Sequence, residues 1–200
     1  MDTRCQSIHQ DKYLQVSDNK DFFAEAYPIK RKKDSYEGLD KFVKALGAPD
    51  KMLYDGAGEQ VGRKTEFQRL MRKYEIKGHA SEPNQSNQIP VEGCIREPRR
   101  RWFRTMFWTY CPRSLWCYGI PYVAKTMRIT ASFSANRQGR TPLEALTGET
   151  PDISQYLDFG FYDRVWFKED AGLGETKLGR SLGVSRHVGS LISYWVIPVS

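Results

Sequence analysis

The sequence is poor in the residues that secreted, membrane and zinc proteins depend on. Its four cysteines, Cys5, Cys94, Cys111 and Cys117, are too few and too scattered for a disulfide scaffold, and the chain reads as cytosolic or nuclear. No run approaches the roughly 18 apolar residues of a membrane span; "SLISYWVIPV" near the end is too short and reads as strand. The polar N-terminus lacks the apolar core of a signal peptide. Histidine is scarce: His9, His79 and His187 share no spacing, and Cys111-x5-Cys117 lacks a His or Cys partner pair, so zinc is not expected. "GAGEQVG" (56–62) has the wrong glycine spacing for a dinucleotide fingerprint. There is no internal repeat and no low-complexity tract.

What the chain does have is a core and a lopsided charge. With 40% apolar and 13% aromatic residues it can bury a real interior. Its length suits one domain, or one plus an appendage. The net charge of +7 suits a polyanionic partner. Between Gly93 and Arg140 lie ten basic residues and one acid, Glu97; ten minus one leaves about +9 in that quarter and a slightly acidic remainder. Nine of the ten are arginines, the cation suited to bidentate phosphate contact. "RRRW" (99–102) therefore reads as a phosphate-contacting face. "KRKK" (30–33) resembles a nuclear-localisation cluster only weakly, because lysines are common in a strand-to-helix loop. The run Trp102, Phe103, Phe107, Trp108 and Trp116 is expected to be helix core rather than a platform for stacking bases.

The N-terminal third reads strand, strand, helix. "KYLQV" (12–16) and "FFAEAYPIK" (22–30) are strands around the turn "DNKD". Tyr36, Leu39, Phe42, Val43 and Leu46 keep helical spacing up to a stop at Gly47. "KMLY" (51–54) is a third strand. A second helix is expected over 63–78, with Thr65 as a cap; "IKGHAS" (76–81) competes as a fourth strand. A polar loop (82–90) precedes a helix that starts at 91. Residues 111–136 read as interrupted helix and 141–148 as a short helix with a glycine stop. The tail reads as two strands around a glycine-rich middle. This order implies an α/β or α+β fold with a mixed sheet flanked by helices, a helical extension and a short C-terminal β segment. The expected division is 1–108, 109–160 and 161–200.

In such sheets, sites form at the carboxyl ends of strands. Asp55 ends the third strand, just before Gly56 and Gly58. A carboxylate there needs a hydrogen-bond network, a basic residue or a metal ion to offset its burial; a plain turn residue is the other reading. Glu92, with 36 residues between it and Asp55, opens the helix after the polar loop, and Asp2 precedes Asp55 with 52 residues between them. Three carboxylates on strands and a helix supply the hard oxygen ligands that Mg²⁺ takes.

Four stretches carry a resemblance: "YLQV…FFAEAYPIKRKKDSYEGLDKF", "YDGAGEQ…TEFQRLMRKYEIK", "SEPNQSNQIPVEGCIRE" and "GRTPLEALTGETPDISQYLDFGFYDRVW". Across nearly the whole chain the sequence resembles the integrase core of Ty1/copia-type LTR retrotransposons, in the RNase H-like superfamily. The resemblance implies a Mg²⁺- or Mn²⁺-dependent polynucleotidyl transferase that processes DNA 3′ ends and joins them to target DNA. It implies Asp2, Asp55 and Glu92 as catalytic metal ligands, with Asp18 or Asp21 as alternatives for the first. Gln88 and Arg96, with Arg99, Arg100 and Arg101, are the implied DNA contacts. The implied partner is DNA, in a homo-oligomer, with no membrane; the location is the nucleus or a cytoplasmic particle. The chain departs from the family at Ile89-Pro90, where the family has Asn-Gly, and at Pro98, expected to kink the Glu92 helix. With the first strand and the upstream zinc module not seen, a truncated element fragment is expected. A catalytically dead DNA-binding remnant is the rival reading.

Overall fold

The computed structural model describes residues 13–18, 23–54, 58–80, 91–131, 139–168, 174–185 and 193–199. The fold is mixed α/β. Strands β1 (Tyr13–Asp18) and β2 (Phe23–Pro28) pair antiparallel, with Tyr13 opposite Pro28 and Asp18 opposite Phe23. Helix α1 (Ser35–Leu46) follows and ends at Gly47, and β3 (Lys51–Tyr54) comes next. After the single turn α2 (Gly58–Val61) and helix α3 (Glu66–Lys73), β4 (Lys77–Ala80) returns parallel to β3. The long helix α4 (Val91–Thr109) packs on α5 (Trp116–Ile129), and the short α6 (Pro142–Thr147) follows. An antiparallel sheet in the order β5 (Arg164–Lys168), β6 (Thr176–Ser185), β7 (Ser193–Pro198) closes the chain.

β2 is the hinge of the interior. Phe23, Ala24, Glu25 and Ala26 are all buried, the signature of a strand covered on both faces. Phe23 joins a cluster with Leu39, Phe42 and Val43 of α1 and Phe67 and Met71 of α3. Ala26 joins a second cluster with Trp102 and Met106 of α4, Trp116, Ile120, Val123 and Ala124 of α5, and Phe161 and Leu182 from the tail. The buried Arg128 of α5 pairs with the buried Glu25 and lies over the Phe23 ring, which locks α5 to β2. Arg128 thus leaves the basic surface counted in the sequence.

α4 and α5 meet at a contact only glycine permits. A Cβ on Gly119 would lie 2.1 Å from the Trp102 indole.

Several expectations need correction. The second helix spans only 66–73. Thr65 caps it, accepting from the Gln68 amide at 3.3 Å, and Glu75 takes a positive φ of 55° that ends the helical path. Helix α4 continues through Pro98, whose ring is fully buried, to Thr109. Burial on the packed side of the helix offsets the lost hydrogen bond to Cys94. The tail holds three strands, because the glycine-rich middle is itself the central strand β6. Gly179 sits under Val196, where a Cβ would come within 2.4 Å, and Gly183 (φ 97°) lies in the register shift between Ser181 and Val184. Glycines that read as loop in the sequence mark close approach and a bulge.

Candidate nucleic-acid interface

The carboxylates expected to form the site are only partly within view. Asp2, Asp55 and Gln88 lie outside the described residues, as do the alternative Asp21 and the loop residues Ile89 and Pro90. Asp18 ends β1, and Glu92 is the second residue of α4; their side chains are outside the described ones. What is described is the chain on either side of the Asp55 segment. Tyr54, the residue before Asp55, packs its ring edge-on against Phe67 with centroids 5.5 Å apart. Gln68 donates to the Tyr54 hydroxyl at 2.8 Å and to the Gln60 carbonyl at 2.5 Å. α3 therefore fastens both ends of the Asp55 segment. Gly78 of β4 lies against the Tyr54 ring, where a Cβ would come within 2.8 Å.

Glu92 begins a helix whose outer side is basic. Arg96, Arg99, Arg100, Arg101 and Arg104 are all exposed. Glu97 holds two of them: Arg100 donates to it at 2.8 and 3.0 Å and Arg101 at 2.9 Å. The Arg100 hydrogen bond, helped by Arg101, holds the Glu97 carboxyl down to about 2. Arg96, Arg99 and Arg104 make no ion pair among the described residues.

The aromatic run splits in two. Trp102 and Trp116 are core, as expected. Phe103, Phe107 and Trp108 are not: they are 47%, 72% and 76% exposed, and the Phe107 and Trp108 rings meet edge-on at 5.5 Å. Successive helical residues point about 100° apart, so neighbours of buried Trp102 and Met106 must face outward. Counting α4 positions around the helix would have revealed this. The outer face of α4 thus mixes arginine with aromatic rings, a pattern suited to nucleic acid.

Elsewhere the basic and cysteine motifs have structural roles. Arg31 of the KRKK run donates to Asp34 at 3.1 and 3.2 Å, which draws that carboxyl below its usual range at the entry to α1. Cys111 is a free, buried thiol pushed up to about 12 by burial, and Cys117 is disulfide-bonded. Thr141 accepts from the Glu144 amide at 3.0 Å while its own amide donates to the Glu144 carboxylate at 3.4 Å, a capping box on α6.

Among the described residues no group of three His, Cys, Asp or Glu is arranged to hold a metal. None of their helices is long and apolar enough to cross a membrane.

No family model matches the chain, and no curated protein does. Among solved structures it is similar to a chain of the simian T-cell lymphotropic virus intasome in complex with PP2A regulatory subunit B56 gamma, with 12% identity and a TM-score of 0.48 over 94% of this chain and 77% of that one. It is also similar to the HTLV-2 integrase catalytic core domain in complex with magnesium (trimeric form), with 14% identity and a TM-score of 0.48 over 68% of this chain and 93% of that one. Likeness at this level assigns no activity.

Proposed function

We propose that the chain is an RNase H-like, integrase-type polynucleotidyl transferase of Ty1/copia retroelement origin, acting on DNA ends and target DNA as a homo-oligomer in the nucleus. One observation carries the reading. Asp55 directly follows β3, and Glu92 opens a 19-residue helix whose exposed face bears Arg96, Arg99 and Arg104, which make no ion pair among the described residues. An acid at a strand end and an acid at a helix start, with 36 residues between them, are the pair the sequence pattern requires.

Asp2, Asp55 and Glu92 form an all-oxygen donor set, which fits Mg²⁺ or Mn²⁺. A bound ion would stabilise charge on the phosphodiester oxygens during in-line attack. The protein's own share is to hold the strand. Arg96 lies one helical turn beyond Glu92 on the same side, placed to reach a substrate phosphate, and Arg99 and Arg104 extend the positive surface along α4.

The test is strand transfer on a labelled duplex with Mn²⁺. Asp55→Asn and Glu92→Gln should each abolish product while duplex affinity stays within about twofold. Undiminished turnover in either variant would sink the assignment. Ile89-Pro90 favours the rival, a DNA-binding remnant without turnover; it predicts bound duplex and no product from the unaltered chain.

A further inference from the structure

Beyond duplex contact, the far end of α4 forms a groove with a different chemistry. A shallow groove of about 520 Å³ runs between α4, α5 and the turn before β5. That volume falls within the roughly 300–1,000 Å³ of ligand sites. One wall carries Arg101, Arg104 and Trp108, spaced three and four residues apart on one stripe of α4. Thr126 of α5 lines the floor. Asp163, in the turn before β5, also lines the groove and accepts from the Gly160 amide at 2.7 Å.

We propose that this groove binds one unpaired nucleotide of a single strand, with its base stacked on Trp108 and its phosphate on Arg104 and Arg101. Three features select that ligand. The indole is 76% exposed although it borders a groove, so a flat partner would gain the contact that the protein leaves unmade. The Arg104 guanidinium has no ion pair among the described residues, whereas Arg101 is shared with Glu97. The Asp163 carboxylate, in the turn before β5, repels phosphate, so the phosphate lies at the arginines of α4 while the base stacks on Trp108 of the same helix. A duplex cannot offer a free base face here; it could touch only the arginines.

The site also has a place on the helix. Sixteen residues at about 1.5 Å each put Trp108 roughly 24 Å along α4 from Glu92. That is about seven nucleotides at the ~3.4 Å rise of a DNA strand, so a short single-stranded tail would span both. The inference rests on the proposal above for its polymer, and the test separates the two.

Fluorescence anisotropy would compare a labelled 12-nucleotide single strand with a hairpin duplex of the same sequence. Trp108→Ala should weaken single-strand binding by about 5- to 100-fold, the range expected for one stacked base, and leave duplex affinity within about twofold. Trp108→Phe should retain most of the single-strand affinity. Arg104→Ala should lower the salt slope for the single strand by about 0.7. Because Trp108 is on the surface, these variants should melt like the unaltered chain. The inference is overturned if that chain does not bind the single strand, or if Trp108→Ala changes both ligands equally or neither. Strand transfer without single-strand binding would overturn this inference alone. Trp108-dependent single-strand binding without strand transfer would support it and overturn the integrase reading alone.

Discussion

The crossing of α4 and α5 gives the sharpest stability prediction. Gly119→Ala would put a methyl carbon 2.1 Å from one indole carbon of Trp102 and 2.4 Å from two others. Carbon atoms in contact prefer about 3.5–4.0 Å, so the overlap exceeds an ångström. The indole has no room to retreat: Trp102 is 3% exposed, and its ring meets Phe161 edge-on at 5.4 Å. Overpacking of this kind costs about 1–3 kcal/mol, and a clash this deep belongs at the top of that range. Alanine returns about 1 kcal/mol of helix propensity. The net loss is about 2 kcal/mol, or roughly 4–8 °C in Tm for a chain of this size. Thermal and urea unfolding would read it. Trp102→Phe removes the atoms that clash, so Gly119→Ala in that background should be nearly neutral, and the double-mutant cycle should show coupling of more than about 1 kcal/mol. A Gly119→Ala protein as stable as the original, or a cycle with no coupling, would refute the packing argument.

Two further predictions concern charge. Glu97→Gln should raise duplex affinity and steepen its salt dependence, measured by titration at several salt concentrations, because it releases Arg100 and Arg101 for phosphate. The same variant reports on pH. The Glu97 carboxyl titrates lower folded than unfolded, so its contribution is present above the ordinary value of 4.5 and lost as pH falls toward about 2; unfolding curves of Glu97→Gln should lack that limb. At the buried pair, Arg128→Met should cost about 3–5 kcal/mol in urea unfolding by stranding Glu25, and adding Glu25→Leu should recover most of it. If the double variant stays as unstable as the single one, the loss comes from packing and not from the stranded charge.

The elements that were legible in the sequence are those whose signals are local. The α1 stripe from Tyr36 to Leu46, the Thr65 cap and the short helix stopped at Gly148 each lie within a turn or two of chain, and each formed where expected. The expectations that failed depended on tertiary packing. β6 tolerates Gly179 because Val196, distant in sequence, fills the space above it. The outward turn of Phe107 and Trp108 was legible from periodicity, but their aromatic character pointed to a core. Of the candidate site, the arginine face of α4 could be read from composition alone, while its division by Glu97 needed the side-chain geometry.

That difference also weighs the motifs. Thr141-Pro142-x-Glu144 with Gly148 marks the retroelement resemblance, yet every residue of it has a local task. Thr141 and Glu144 exchange capping bonds, Pro142 fills the first helical position, and Gly148 ends the helix at a φ of 78°. Any chain that needs a short, well-capped helix can arrive at that pattern, so its weight as a mark of ancestry is modest. Asp55 and Glu92 are different. No cap or turn requires an acid at both a strand end and the start of a distant helix. α4 ties the second acid to the rest of the chain: Trp102 and Met106 anchor one side against α5, and the opposite side is left to arginine and exposed rings. A helix needing only solubility would carry mixed charges there. An outer face with five arginines, one glutamate and three exposed aromatics is the surface that the proposed contact with a polyanion bearing stackable bases would use.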